Sequence, residues 1–283
     1  MPPSIAQRLD KIKDLPPMPN TLQKVLEEMD SIASSAKRLE VIVRQDPVLA
    51  TKILKVANSP AYGMSGQVQT ISHAVVVLGF EEVRNLVIGI SLTQAFGQNA
   101  DLKEFPAREM WLHCIGVATV SMEIATLLGD MEPEECFTMG LIHDIGRFLM
   151  CSFFPEDLKR ILKLQEERQI PLYMAEEEYG FSHTEAGAYI ATKWNLNERM
   201  ISAVRYHHRP RSAGPEEKAC AVVFLADQLC HKLGIGWSSN WLADKIKLPK
   251  ALGLKGPQVQ AIAKKIRDKK KHLEEGWSKA LGG

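Results

Sequence analysis

Apolar residues recur along this chain at helical spacing almost throughout, and no stretch shows the alternation of a half-buried strand, so the pattern predicts an all-α protein. Leu15-Pro16-Pro17-Met18-Pro19 cannot be helical throughout, because proline fixes φ and lacks an N–H; beyond it Leu22, Val25, Leu26 and Met29 form one face. A helix is expected near 38–45. Asp46-Pro47 then supplies an N-cap and a pre-set first helical residue for the stripe Leu49, Ile53, Ala57, which Asn58-Ser59-Pro60 ends. Ser72 is expected to cap a short helix closing at Gly79, and another starts near Glu81 with Val83, Leu86, Val87 and Ile90. The polar segment Gly97 to Pro106 is the best boundary, dividing an N-terminal helical bundle, 1–100, from a second helical domain with a C-terminal extension, 101–283. In the second, helices are expected near 107–128, 133–151, 155–168, 171–179, 183–194, 197–208, 216–233 and 256–275.

Composition narrows the class. With 45% hydrophobic residues in 283, the chain can bury a sizeable core. Lys plus Arg number 35 against 34 Asp plus Glu, so no global field recruits nucleic acid or an anionic membrane. Two local features superficially suit nucleic acid. The helix–Gly79–helix layout of residues 73–95 opens its second helix with Glu81-Glu82, which would repel phosphates, and the basic run Lys264 to Lys271 reads as one solvated helix face. Nucleic acid is therefore not the expected partner. No stretch approaches the ~20 apolar residues of a membrane span, and the N-terminus lacks a signal-peptide layout. Five cysteines without CxxC pairing read as buried thiols of a reducing compartment, so a cytoplasmic location is expected.

The chemistry lies in the order of the histidines: His113, His143-Asp144, His183, His207-His208, then Asp227. A divalent metal needs neutral imidazoles and ionised carboxylates converging from different helices, and these spacings allow it. His143-Asp144 follows an apolar run from Phe137, and Asp227 is flanked by Val222 to Ala226 and Leu229-Cys230, so both aspartates are expected inside. An interior carboxylate costs several kcal/mol unless a cation or donors compensate it. Ser182 and Glu185 form a capping box that places His183 in a first helical turn, where the dipole favours the neutral ring. His207 and His208 end a helix, where the dipole favours protonation and simple C-terminal capping is the ordinary reading. His73, His231 and His272 read as structural or surface residues.

These residues, with Leu15 to Pro19, Asp46-Pro47, Leu54 through Pro60, Ile71 through Ala74, Leu78-Gly79-Phe80, Trp111, Gly140 through Arg147, His183 and Trp194, resemble HDOD proteins, the HD-related output domain of bacterial signalling, over about residues 14–232. The resemblance implies a helical bundle packed on an HD-superfamily-like domain, and a regulatory role. The ligand order is also similar to that of HD-GYP phosphodiesterases. By that likeness His113, His143, Asp144 and Asp227 would hold one divalent ion, and Asp144 would bridge to a second held by His183, His207 and His208. Iron, manganese, zinc and nickel suit such ligands about equally. Two departures stand out: Arg147 replaces the lysine after the His-Asp-Ile-Gly run, and Arg209 to Pro215 replaces the Gly-Tyr-Pro motif. Cyclic-di-GMP hydrolysis is thus not implied, and Arg147 is either a phosphate clamp or an exposed salt bridge. The expected function is a signalling module, the alternative a metal-dependent phosphohydrolase acting on a phosphomonoester or (cyclic) phosphodiester with Asp144 and Arg147 as catalytic residues. No receiver, kinase or cyclase segment fits in this length, so the expected partner is another signalling protein or a phosphate-containing small molecule.

Overall fold

The computed structural model describes residues 5–12, 15–29, 36–59, 67–96, 102, 104–237 and 245–280, and no strand occurs among them. Pro60, residues 97–101 and 103 of the segment Gly97 to Pro106 that was expected to mark the boundary, and the side chains of Met29 and His272 lie outside the described residues. The chain forms two compact units: one comprises Met1–Leu15 and Gln98–Asp268, the other Pro16–Gly97 and Lys269–Gly283.

After the short helix α1 (Ile5–Leu9), the second unit gathers α2 (Asn20–Met29), α3 (Ala36–Arg44), α4 (Pro47–Ala57), α5 (Ile71–Leu78) and α6 (Phe80–Phe96). Asp46 caps α4 as expected, its Oδ1 accepting from Leu49 N at 3.0 Å. The cap of α5 is Thr70 rather than Ser72, with Oγ1 accepting from His73 N at 3.1 Å, while Ser72 turns to Glu40. From Val83 to Leu92, α6 is buried on every side, so it is the core helix of its unit.

The other unit carries α7 (Ala107–Leu128), α8 (Pro133–Ile142), α9 (Ile145–Phe153), α10 (Pro155–Arg168), α11 (Leu172–Tyr179), α12 (His183–Lys193), α13 (Glu198–Tyr206), a 3-10 turn (Pro210–Glu216), α14 (Glu217–Leu233) and most of α15 (Gly256–Ala280). Contrary to the sequence reading, one helix among the described residues, α7, is long and apolar enough to cross a membrane by length and composition; it is a core helix here, packed on α8 and α14, with 67% of its most apolar window buried. The single helix expected over 133–151 is two. His143 Nδ1 donates to the Gly140 carbonyl at 2.7 Å, the oxygen that the Asp144 N–H would take in an unbroken helix, and the chain turns at His143-Asp144.

Candidate metal centre

Each polar residue of the centre is delivered by a helix end or a core helix. His113 comes from the middle of α7, His143 and Asp144 from the turn between α8 and α9, His183 from the first position of α12, His207 and His208 from the end of α13, and Asp227 from α14. The α9 and α12 starts meet because position 146 has no side chain: a Cβ on Gly146 would lie 1.9 Å from the His183 carbonyl oxygen. That contact sets Asp144 beside His183. All seven expected ligand residues come together in one region. Their ligand atoms, with one from His231, form three sets, each within 4.8 Å: His183, His207 and His208; His113, His143 and Asp144; His113, Asp227 and His231.

Both aspartates are interior, Asp144 at 1% exposure and Asp227 at 6%. Burial opposes their ionisation, but Arg147, His143 and His183 hold Asp144 well below the usual carboxylate range, and His231 and His113 do the same for Asp227. Arg147 is not an exposed salt bridge. It is 4% exposed and fixed between two carboxylates, Nη1 2.6 Å from Asp144 Oδ2 and Nε 3.2 Å from Glu176 Oε1.

Glu176 is the residue that sequence reasoning missed. It sits fully buried on α11, accepts the His183 backbone N–H at 2.9 Å, and closely meets His183 Nδ1. It thus takes the capping role on the His183 N–H, while Ser182 Oγ accepts from Thr184 N at 3.2 Å. Burial depresses the His183 pKa, and the Glu176 and Asp144 carboxylates together more than reverse that, so the ring is raised where the helix dipole alone would lower it. Within Ala-Glu-Glu-Glu-Tyr nothing distinguishes Glu176 from a solvated acidic face. His207 and His208 also depart from the dipole expectation: burial and neighbouring imidazoles push His207 down to about 3 and His208 well below its ordinary value. Capping does occur, since His207 Nδ1 donates to the Val204 carbonyl at 2.9 Å.

Those Nδ1 contacts decide whether the residues suit a cation. A neutral imidazole has one proton, and a carbonyl or carboxylate beside Nδ1 takes it, leaving Nε2 as a bare acceptor. His143, His183 and His207 are all fixed in this way. Their Nε2 atoms nevertheless face other acceptors: His143 Nε2 is 3.3 Å from Asp144 Oδ2, His183 Nε2 is 3.0 Å from Asp144 Oδ1, and His207 Nε2 is 3.2 Å from His183 Nε2. Among the described residues, His143 Nε2 and Asp144 Oδ1 are buried without a hydrogen-bond partner. Lone pairs this close repel unless positive charge lies between them; in the metal-free chain a second proton on His183, favoured by Glu176 and Asp144, supplies part of it. Ligand atoms about 2.1 Å from a shared ion would be roughly 3.0–3.4 Å apart in octahedral or tetrahedral geometry. The donor set therefore fits a divalent cation.

A cavity of about 510 Å³ adjoins His208 and Glu176 and is lined further by Tyr173, Ser182, Arg205 and Arg209. Tyr173 stacks on His208 with centroids 4.3 Å apart, and Arg209 pairs with Glu177 at 2.7 Å.

A Treponema pallidum protein is 30% identical over 216 residues, 76% of this chain but 40% of its own length, so the chain spans about two-fifths of that relative. The fold is similar to that of an HDOD domain protein from Geobacter sulfurreducens (TM-score 0.82, 22% identity, 95% of this chain and 94% of that one). It is also similar to a candidate signal transduction protein from Marinobacter aquaeolei (TM-score 0.83, 24% identity, 98% and 62%) and a candidate phosphohydrolase from Shewanella amazonensis (TM-score 0.72, 25% identity, 95% and 97%). The HDOD domain family matches residues 15–210, which is most of the chain, and the protein belongs to the HDOD family.

Proposed function

We propose that this chain is a cytosolic HDOD signalling module whose His/Asp centre holds two divalent ions. The observation that carries the reading is the convergence of imidazole Nε2 atoms, each with its Nδ1 proton already committed, on the two oxygens of Asp144. His113, His143, Asp144 and Asp227 hold one ion; Asp144, His183, His207 and His208 hold the other. Arg147 and Glu176 are positioning residues, the first aiming Asp144 and the second orienting His183. The ligand is a phosphate-containing small molecule received in the cavity beside His208, where Arg205 and Arg209 offer planar donors to phosphate oxygens. A separate signalling protein reads the loaded state. Elemental analysis of the purified wild type beside Asp144→Ala tests the centre: near two ions per chain, lost in the variant, is the expected result, and full occupancy in the variant overturns the assignment.

The same site supports hydrolysis as a second reading, favoured by the cavity that meets the ligand set at His208 and by the similarity to the Shewanella candidate phosphohydrolase. Divalent ions would supply charge stabilisation on phosphoryl oxygens and lower the pKa of a water. Asp144-dependent cleavage of a generic phosphodiester is the expected sign of that activity, and its absence from the metal-loaded chain leaves the regulatory reading.

A further inference from the structure

Asp227 and His231 stand four residues apart on α14, so their side chains share one face. Their polar atoms meet a third from α7. His231 Nε2 lies 3.1 Å from Asp227 Oδ1, and His113 Nε2 lies 3.0 Å from the same oxygen. The two rings are 4.5 Å apart between centroids and tilted by 31°. The side chains are 0% exposed for His113, 8% for Asp227 and 7% for His231.

The environment of His113 shows why a cation belongs there. Gly236, with φ +62°, presses against α7 so closely that a Cβ would lie 2.3 Å from both the Glu109 carbonyl oxygen and the His113 backbone nitrogen. Trp237 N donates to that Glu109 carbonyl at 3.0 Å. This approach brings the Ile235 carbonyl to 3.4 Å from His113 Nδ1. The ring is thus flanked by acceptors at both nitrogens, a carbonyl at one and a carboxylate at the other, and a neutral imidazole has a single proton. A hydrogen bond from His231 to Asp227 leaves that mismatch in place. A divalent ion at the common focus of the three atoms removes it, and two imidazoles with one carboxylate are ordinary ligands for such an ion.

We infer that His231 is a further metal ligand, sharing with His113 and Asp227 the first of the two ions proposed above; the inference rests on that reading of the centre. Asp227 and His231 lie beyond residue 210, outside the part of the chain that the family matches, and for His231 the assignment rests on geometry alone. Its consequence is asymmetry. Among the described residues none of these three lines the cavity, whereas His208 does, so a ligand entering that cavity meets the second ion.

The test uses the full chain, stripped by chelator and reloaded with Zn²⁺ alone. His231→Ala removes the ligand, and His231→Gln keeps a side-chain donor for Asp227. The expected result is one equivalent of zinc fewer in both variants than in the wild type, with the ¹⁵N resonance of His231 Nε2 in the wild type shifting on zinc addition. Unchanged stoichiometry and chelator competition in the variants, or an unmoved His231 resonance in zinc-loaded wild type, overturns the inference and leaves the metal centre standing. A wild type that takes up no zinc overturns both. Should the variants lose helical structure by circular dichroism, the wild-type resonance decides.

Discussion

Asp144 and Glu176 divide the work of one buried network. Asp144 faces three imidazoles and a guanidinium, and Glu176 holds the same guanidinium and the outer nitrogen of His183. Glu176→Gln would leave Arg147 with one carboxylate and His183 without its charged acceptor. Breaking a buried pair of this kind costs about 3–5 kcal/mol. Urea unfolding of the metal-free protein should show a loss of that order, and chelator competition on the loaded protein should show roughly 10–100-fold weaker metal retention. Acid should also act through this network. The folded pKa of His207 is about 3 against an ordinary 6.5, so between those values the unfolded chain binds more protons than the folded one. The His207 contribution is fully present above pH 6.5 and is lost as pH falls towards 3. His183, raised in the folded protein, works in the opposite sense, its contribution fading as pH rises through its folded value. Metal-free His207→Gln should therefore lose less stability than the wild type between pH 6.5 and 4.5, measured by urea unfolding; an identical slope would remove His207 from the account.

At the scale of elements, the centre depends on how closely α9 approaches α12. Gly146→Ala places a methyl 1.9 Å from a backbone oxygen, which no rotamer can relieve. Overpacking typically costs about 1–3 kcal/mol and occasionally more, and here it also drives Asp144 away from His183. The expected outcome is a lower urea midpoint together with lost ion retention; a variant that unfolds at the wild-type midpoint with full metal would show that the helices can part without moving the ligands. The break between α8 and α9 belongs to the same logic. Apolar periodicity runs through residues 133–151, and the chain turns where the His143 side chain bonds to the Gly140 carbonyl.

The chain divides into two compact units, and every proposed ligand lies in only one of them. Ligand binding to the folded state stabilises by RT ln(1 + [L]/Kd), about 2.7 kcal/mol at a hundredfold excess over Kd. In a calorimetric scan, chelation should therefore lower the transition of the unit containing α7–α14 and leave that of α2–α6 in place. Trp277, packed on Gly89 in the latter unit, gives a fluorescence check: its transition should not move with metal, whereas that of Trp111, stacked on Phe148 at 4.0 Å, should. Concerted movement of both would show that the units melt as one.

Helical class, the extents of α7 and α10, the Asp46 cap and the burial of both aspartates were legible from sequence, because each depends on neighbours within a few residues or on the composition around them. The gathering of His113, His143, Asp144, His183, His207, His208 and Asp227 was legible only as an ordered set, whose spacing allowed convergence and whose likeness to a family implied the grouping. Folding alone decided the rest. Glu176 becomes an interior partner because it meets the start of α12, and His231, already on one face of α14 with Asp227, reaches His113 because α14 lies along α7. The protonation of the imidazoles was likewise misjudged from helix ends. A terminus contributes a partial charge of about half an electron, and in an apolar interior burial and full charges at 3 Å outweigh it. Sequence carries propensity and order, whereas the sign of a buried group's charge belongs to whatever the tertiary fold sets against it.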